Sequence, residues 1–196
     1  MGISIFNSPF SIVNHRLMGG GVVHLVSAKN ARRLEGPDMI VLHYTAGTSA
    51  ESSALFLTRP DVSASAHVVI GREGEVFQLV PFNIEAWHAG KSWLNRYSIG
   101  IELDNLGKLR FSGGLFIAEC GRVVSPEEVY TDCSGDRPTY WHRYTARQVR
   151  VLREICTLLE ETYPIRDVVG HSVITPRKID PGPALEFAFS EFQDRN

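Results

Sequence analysis

Cysteine is scarce in this chain. Its three cysteines, Cys120, Cys133 and Cys156, are an odd number with no Cys-x-x-Cys spacing. They offer no disulfide framework and fit a reduced compartment, with Cys156 on the apolar face of an expected helix. Long apolar runs are also missing, and nothing approaches the roughly 18 residues of a membrane span. No charge of one sign dominates: Lys plus Arg is 20 and Asp plus Glu is 22, a formal charge of −2. That balance argues against a nucleic-acid grip, which needs a strongly basic face. It also argues against disorder, as does a hydrophobic content of 43%. There is no internal repeat and no low-complexity segment. The first twenty residues lack a basic start and a long apolar stretch, so they do not read as a signal peptide. The chain is expected to be made in the cytoplasm. At 196 residues it suits one domain able to fold without disulfides or a structural metal.

Residues 1–38 are rich in glycine and turn residues and read as an N-terminal arm packed on the domain that follows, 39–196. Met39–Thr45 is a short apolar, β-branched run after Gly36-Pro37, suited to a buried strand. Thr48-Ser-Ala-Glu51 is a capping-box pattern opening a helix over about 49–58, stopped by Pro60. Ser65–Ile70 and Val76–Val80 flank a Gly71–Gly74 turn and read as a hairpin, and Ser98–Leu103 alternates as another strand. Residues 105–140 carry many Gly, Ser and Pro and no helical period, and read as a long functional excursion or lid. A second capping box, Thr145–Gln148, opens a helix over 146–162 with Val149, Leu152, Ile155, Cys156 and Leu159 on one face. Val168–Gly170 is a short strand end, 171–183 a Pro-rich loop and 184–193 a closing helix. The expected fold is mixed α/β (α+β): a single domain with a central mixed β-sheet flanked by helices.

What is plentiful for this length is histidine, at seven. Four occupy unusual settings. His43 interrupts the strand VLHYTAG, His67 ends SASAH, His88 sits in AWHAG, and His171 opens HSVITPRKIDPGP. A lone strand histidine is more often a hydrogen-bonded core residue than a ligand. His171 and Asp180, however, lie nine residues apart on one loop stiffened by Asp180-Pro-Gly-Pro183. With His43 from a neighbouring strand they form a set of two His and one Asp. A catalytic zinc site has three such ligands and keeps an open fourth position. Glu102, in SIGIEL, shares a strand face with Gly100 and could serve as general acid and base, or stand as an exposed edge carboxylate. Lys178 could steady an oxyanion, or be a solvated cation.

The ordered blocks VLHYTAG, SAHVVIGREGEVFQLVP, AWHAG, SIGIEL and GHSVITPRKIDPGPAL resemble the zinc-dependent N-acetylmuramoyl-L-alanine amidases. That superfamily includes the AmpD-type recycling amidases, a phage lysozyme and the peptidoglycan recognition proteins. The resemblance implies a Zn2+ site of His43, His171 and Asp180 in a groove at one side of the sheet. Glu102 and Lys178 match the catalytic positions, and Trp87 and His88 match positions lining the substrate groove. His67 matches a family histidine that is not a metal ligand, and is divided between the groove and a structural place. The loop from His171 to Asp180 is one residue shorter than in many AmpD-type sequences. The excursion 105–140 lies outside the common core, and its Phe111, Tyr130, Tyr140 and Trp141 could shape specificity or pack on themselves.

The implied reaction is hydrolysis of the amide between the lactyl group of N-acetylmuramic acid and L-Ala of the stem peptide. Peptidoglycan or a muropeptide is the expected partner, with no nucleic acid and no membrane insertion. The chain is expected to be a monomer, and a secreted toxin of this kind would add an immunity protein. The competing reading is a catalytically inactive peptidoglycan-binding module of the same fold. An amidase of this type would act in the cytoplasm on recycled fragments, or on the periplasmic wall after holin or secretion-system delivery.

Overall fold

The structure is a computed structural model and describes residues 8–186 and 188. In chain order the first elements are β1 (Phe10–Val13), β2 (Arg16–Gly19), β3 (Val23–His24) and β4 (Met39–Tyr44). Then come α1 (Ala50–Thr58), β5 (Val68–Ile70), β6 (Val76–Gln78), α2 (Ser92–Asn95) and β7 (Ser98–Leu103). The excursion contributes β8 (Lys108–Ser112), β9 (Leu115–Ile117), β10 (Val123–Val124), β11 (Val129–Asp132) and β12 (Thr139–His142). The chain continues through α3 (Ala146–Thr162), β13 (Asp167–Gly170) and α4 (His171–Ile174). The central sheet has the order β13-β4-β7-β5-β6-β3, and is mixed because β5 and β6 run antiparallel while the other neighbours are parallel.

Strand alternation sorts the sheet's side chains onto two faces. Ile40, Leu42, Val68, Ile70, Ile99, Ile101 and Leu103 meet Val149, Leu152, Ile155 and Leu159 of α3 in the main core. Each of those four α3 residues is fully buried. Each contributes roughly 1.5–3 kcal/mol relative to exposure, so tertiary burial rather than propensity holds this helix. Thr145 caps it, accepting from the Gln148 amide. On the opposite face Val69 packs with Leu79, Val80 and Ala86 against Ala50 and Ala54 of α1. The small alanines let α1 lie close to the sheet, leaving its outer residues Leu55 and Phe56 half exposed. The N-terminal hairpin β1–β2 delivers Phe10 and Leu17 to the main core.

Two elements differ from their sequence expectations. Excursion 105–140 is a second, antiparallel sheet, β10-β9-β8-β12-β11, with its own small core of Leu106, Leu109, Ala118, Val124 and Val129. The 171–183 loop opens with a helical turn, α4. The helix expected over 184–193 begins at 183–186, and most of its span lies outside the described residues, as does the apolar run Ile3–Phe6.

His67 is completely buried, which favours the structural place of the two that its motif left open, over the groove. Its Nε2 donates to the Ile84 carbonyl at 2.9 Å and its Nδ1 accepts from the Gly100 amide at 3.0 Å. Both ring nitrogens are therefore committed to backbone. Burial pushes its pKa down to about 4. A histidine depressed this way contributes stability that is fully present above its unfolded pKa of about 6.5 and is lost as pH falls towards 4. Urea unfolding should show this group alone removing about 2 kcal/mol between pH 7 and pH 5. His67→Gln should lose that part of the pH slope, and an unchanged slope would contradict the assignment.

Candidate metal centre and cleft

Parallel strands place the site at their carboxyl ends, where open α/β sheets bind ligands. In the β4–β7 pairing His43 stands beside Glu102, and in the β13–β4 pairing Gly170 stands beside Leu42. His171 therefore leaves the sheet level with His43. Asp180 is returned to this point by its loop. Its carbonyl accepts from the Ser172 amide at 2.9 Å, and the buried Tyr144 hydroxyl donates to the Pro181 carbonyl at 2.8 Å. Gly170 leaves room for this approach, since a Cβ there would sit 2.6 Å from Pro181 Cδ.

The three side chains converge on one point. His43 Nδ1 and His171 Nδ1 are 3.1 Å apart, and Asp180 Oδ2 lies 2.9 Å from the first and 3.0 Å from the second. Both histidines are buried. Desolvation opposes the Asp180 carboxylate, but the hydrogen bonds and charges of His171 and His43 outweigh it and hold the group well below the usual carboxylate range. Desolvation pushes the His43 imidazole down, partly offset by Asp180.

This triangle has a hydrogen deficit. Its three edges need three hydrogens to be hydrogen bonds, and two Nδ1 atoms supply at most two. A cation facing all three lone pairs removes the conflict. Ligands held at roughly 2.0–2.1 Å in a tetrahedron stand roughly 3.3 Å apart, close to the spacing seen. The donor set thus fits a divalent metal, and the three residues are the group of such side chains near enough to hold one among the described residues.

A cleft of about 400 Å³ opens over the triangle. Leu57 of α1, Ser65, Trp87 and His88 line it on one side, and Arg177, Lys178 and Ile179 on the loop carrying Asp180. Glu102 lies in its floor with Oε2 buried and without a hydrogen-bond partner. Desolvation, then the charge of Asp180, push its pKa up to about 8 against the opposing pull of Lys178. Desolvation likewise pushes Tyr44 up to about 12. Trp87 presents its ring to the Lys29 ammonium at 5.9 Å. His88 is buried, its Nδ1 3.1 Å from His43 Nε2.

The structure therefore gathers His43, His171, Asp180, Glu102, Lys178, Trp87 and His88 around one cleft and leaves His67 behind it. Sequence reasoning missed Tyr44, Glu119 and Arg177, all of which line the cleft. It left the excursion's aromatics open between shaping specificity and packing on themselves. Phe111 and Tyr140 follow the second, packing with Phe116 at ring centroids 4.9–5.6 Å apart, and Glu119 is what the excursion brings to the cleft wall. Nothing in the local pattern around Glu119 marks it.

Comparison with known proteins bears on this geometry. The family described as N-acetylmuramoyl-L-alanine amidase matches residues 32–183. The 1,6-anhydro-N-acetylmuramyl-L-alanine amidase AmpD of Escherichia coli K12 is 30% identical over 176 residues, covering 85% of this chain and 77% of that protein. The N-acetylmuramoyl-L-alanine amidase AmiD of the same organism is 30% identical over 74% of this chain and 49% of its own. Among solved structures, an AmpD crystal structure superposes with a TM-score of 0.60 at 26% identity, covering 93% of this chain and 97% of that one. A complex of Escherichia coli AmiD with anhydro-N-acetylmuramic acid-L-Ala-D-γ-Glu-L-Lys does so at 0.57 and 25% identity, covering 92% and 66%. This chain belongs to the N-acetylmuramoyl-L-alanine amidase family.

Proposed function

We propose that this protein is a zinc-dependent peptidoglycan amidase that hydrolyses the amide between the lactyl group of N-acetylmuramic acid and L-Ala of the stem peptide. The observation that carries the reading is the convergence of His43, His171 and Asp180 beneath an open cleft whose floor holds Glu102. The AmiD complex, with an anhydro-muramyl peptide bound, supports the substrate class. His43, His171 and Asp180 would hold the zinc ion. Zinc in such a site supplies Lewis-acid polarisation and lowers the pKa of water to about 7.

The chain's own groups do the rest. The Glu102 carboxylate takes a proton from the attacking water and returns it to the departing nitrogen, which an amide needs because its amine leaves poorly. The Lys178 ammonium faces the same cleft and offsets negative charge developing on the carbonyl oxygen. Trp87 and His88 form part of the wall along which the muropeptide lies. Among the described residues no helix is long and apolar enough to cross a membrane.

The test is product analysis by mass spectrometry on purified anhydro-muropeptide and on intact sacculi. Free stem peptide beginning at L-Ala is the expected product. Treatment with a zinc chelator should abolish its release, and added zinc should restore it. Cleavage at another bond, or turnover indifferent to the chelator, would overturn the proposal. The two substrates also separate a fragment-recycling enzyme from one that attacks the assembled wall.

A further inference from the structure

A chain of hydrogen bonds runs from a backbone carbonyl to the metal-facing imidazole, and its direction is determined at the far end. The Ser98 hydroxyl donates to the Leu94 carbonyl at 2.7 Å. Having committed its hydrogen there, Ser98 Oγ can only accept from His88 Nε2, 3.2 Å away. The hydrogen of the neutral His88 ring is then on Nε2, which leaves Nδ1 bare. His88 Nδ1 lies 3.1 Å from His43 Nε2 and accepts from it. With a cation at the triangle, His43 then carries its hydrogen on Nε2 and presents a bare Nδ1 to it beside Asp180 and His171.

The His88 ring is held in place from three sides. The buried Asn95 Oδ1 accepts from the amides of His88 at 3.2 Å and Ala89 at 2.8 Å, fixing the backbone. Gly100 of β7 forms the surface under the ring, where an added Cβ would lie 2.4 Å from His88 Cγ. His67 meets the ring edge-on, with centroids 5.9 Å apart.

We propose that His88 is a positioning residue whose hydrogen bond, oriented by Ser98, fixes the tautomer and ring orientation of His43 so that Nδ1 is the metal-binding atom. The proposal rests on the reading of His43 as a ligand and adds what selects its binding nitrogen. Outer partners of this kind are worth 10–100-fold in metal affinity.

The variants His88→Leu and His88→Asn separate the hydrogen bond from packing. Leu fills similar space without an acceptor, whereas Asn can place Oδ1 near the position of Nδ1. Zinc affinity, read by competition with a chromophoric chelator, should weaken about 10–100-fold in His88→Leu and stay within about 3-fold of wild type in His88→Asn. Equal zinc affinity in wild type and His88→Leu would overturn the proposal, and so would Asn failing as badly as Leu. A second measurement does not depend on a variant that folds. The 15N chemical shifts of the wild-type imidazoles in the zinc-loaded protein should report a hydrogen on Nε2 of both His43 and His88. An Nδ1–H form of His43 in the zinc-loaded protein overturns the proposal. Wild-type protein that binds no zinc defeats the metal reading instead.

Discussion

Asp180→Ala should remove bound metal and amidase turnover together while leaving the fold standing. Asp180 Oδ2 is the one anionic corner of the triangle, set against two imidazole nitrogens 3.1 Å apart. Without it the remaining pair offers two neutral ligands in place of a three-ligand site. The loss in zinc affinity should exceed the roughly 10–100-fold expected for an outer partner, and turnover should fall to background. The fold survives because the loop is held by its backbone. Ser172 binds the Asp180 carbonyl and Tyr144 binds that of Pro181, and neither contact uses the carboxylate. His43→Ala should behave the same way at the site. Metal-to-protein ratios after dialysis, measured beside stem-peptide release and a thermal melt, check this. A variant that keeps one equivalent of zinc and its activity removes Asp180 from the ligand set.

The elements that could be read from the sequence are those with a single strong period. Ser98–Leu103 alternates and is β7 end to end, and the apolar stripe over 146–162 is α3 end to end. The start of α1 moved by one residue, with Ser49 rather than Thr48 capping, because adjacent hydroxyls make the two registers nearly equivalent on paper. Strand β5 is shorter than Ser65–Ile70 because the His67 backbone pairs with Gly100 and Leu79 outside regular ladder geometry. The excursion hid its sheet because its strands run two to five residues with at most two buried residues in each, so no buried face repeats long enough to announce itself.

The site divides along the same line. Ligand types and their spacing stand in the motif, so His43, His171 and Asp180 could be named. What holds them comes from distant residues. Tyr144 secures the Asp180 loop from just before α3, and Trp141 of the excursion packs on Gly182. Ser98 and His88 meet only because β7 and the AWHAG loop are adjacent in space. None of these partners shares a local pattern with the residue it supports.

Glu102→Gln should separate chemistry from metal binding. Glu102 stands beside His43 in the sheet register but is not a corner of the triangle, so zinc content should match wild type. Gln keeps the size and a polar group in the cleft floor while removing the transferable proton. General acid–base catalysis by a positioned carboxyl contributes about 10²–10⁴-fold, and kcat should fall by that amount with KM little changed. The carboxyl's setting suits the task. Its Oε2 is buried without a partner, and desolvation with the nearby Asp180 charge pushes its pKa up to about 8, so it is poised to hold a proton near neutrality. Lys178 pulls the other way, which keeps the ionised form within reach. A group balanced between its two forms can accept from water early in the reaction and donate to nitrogen late. A carboxylate fixed in an ion pair would be the weaker base and would take up the proton less readily. Steady-state kinetics beside metal analysis decide the matter. Near wild-type kcat in a zinc-loaded Glu102→Gln variant would show that the proton travels by another route. A parallel loss of zinc would show instead that Glu102 supports the metal.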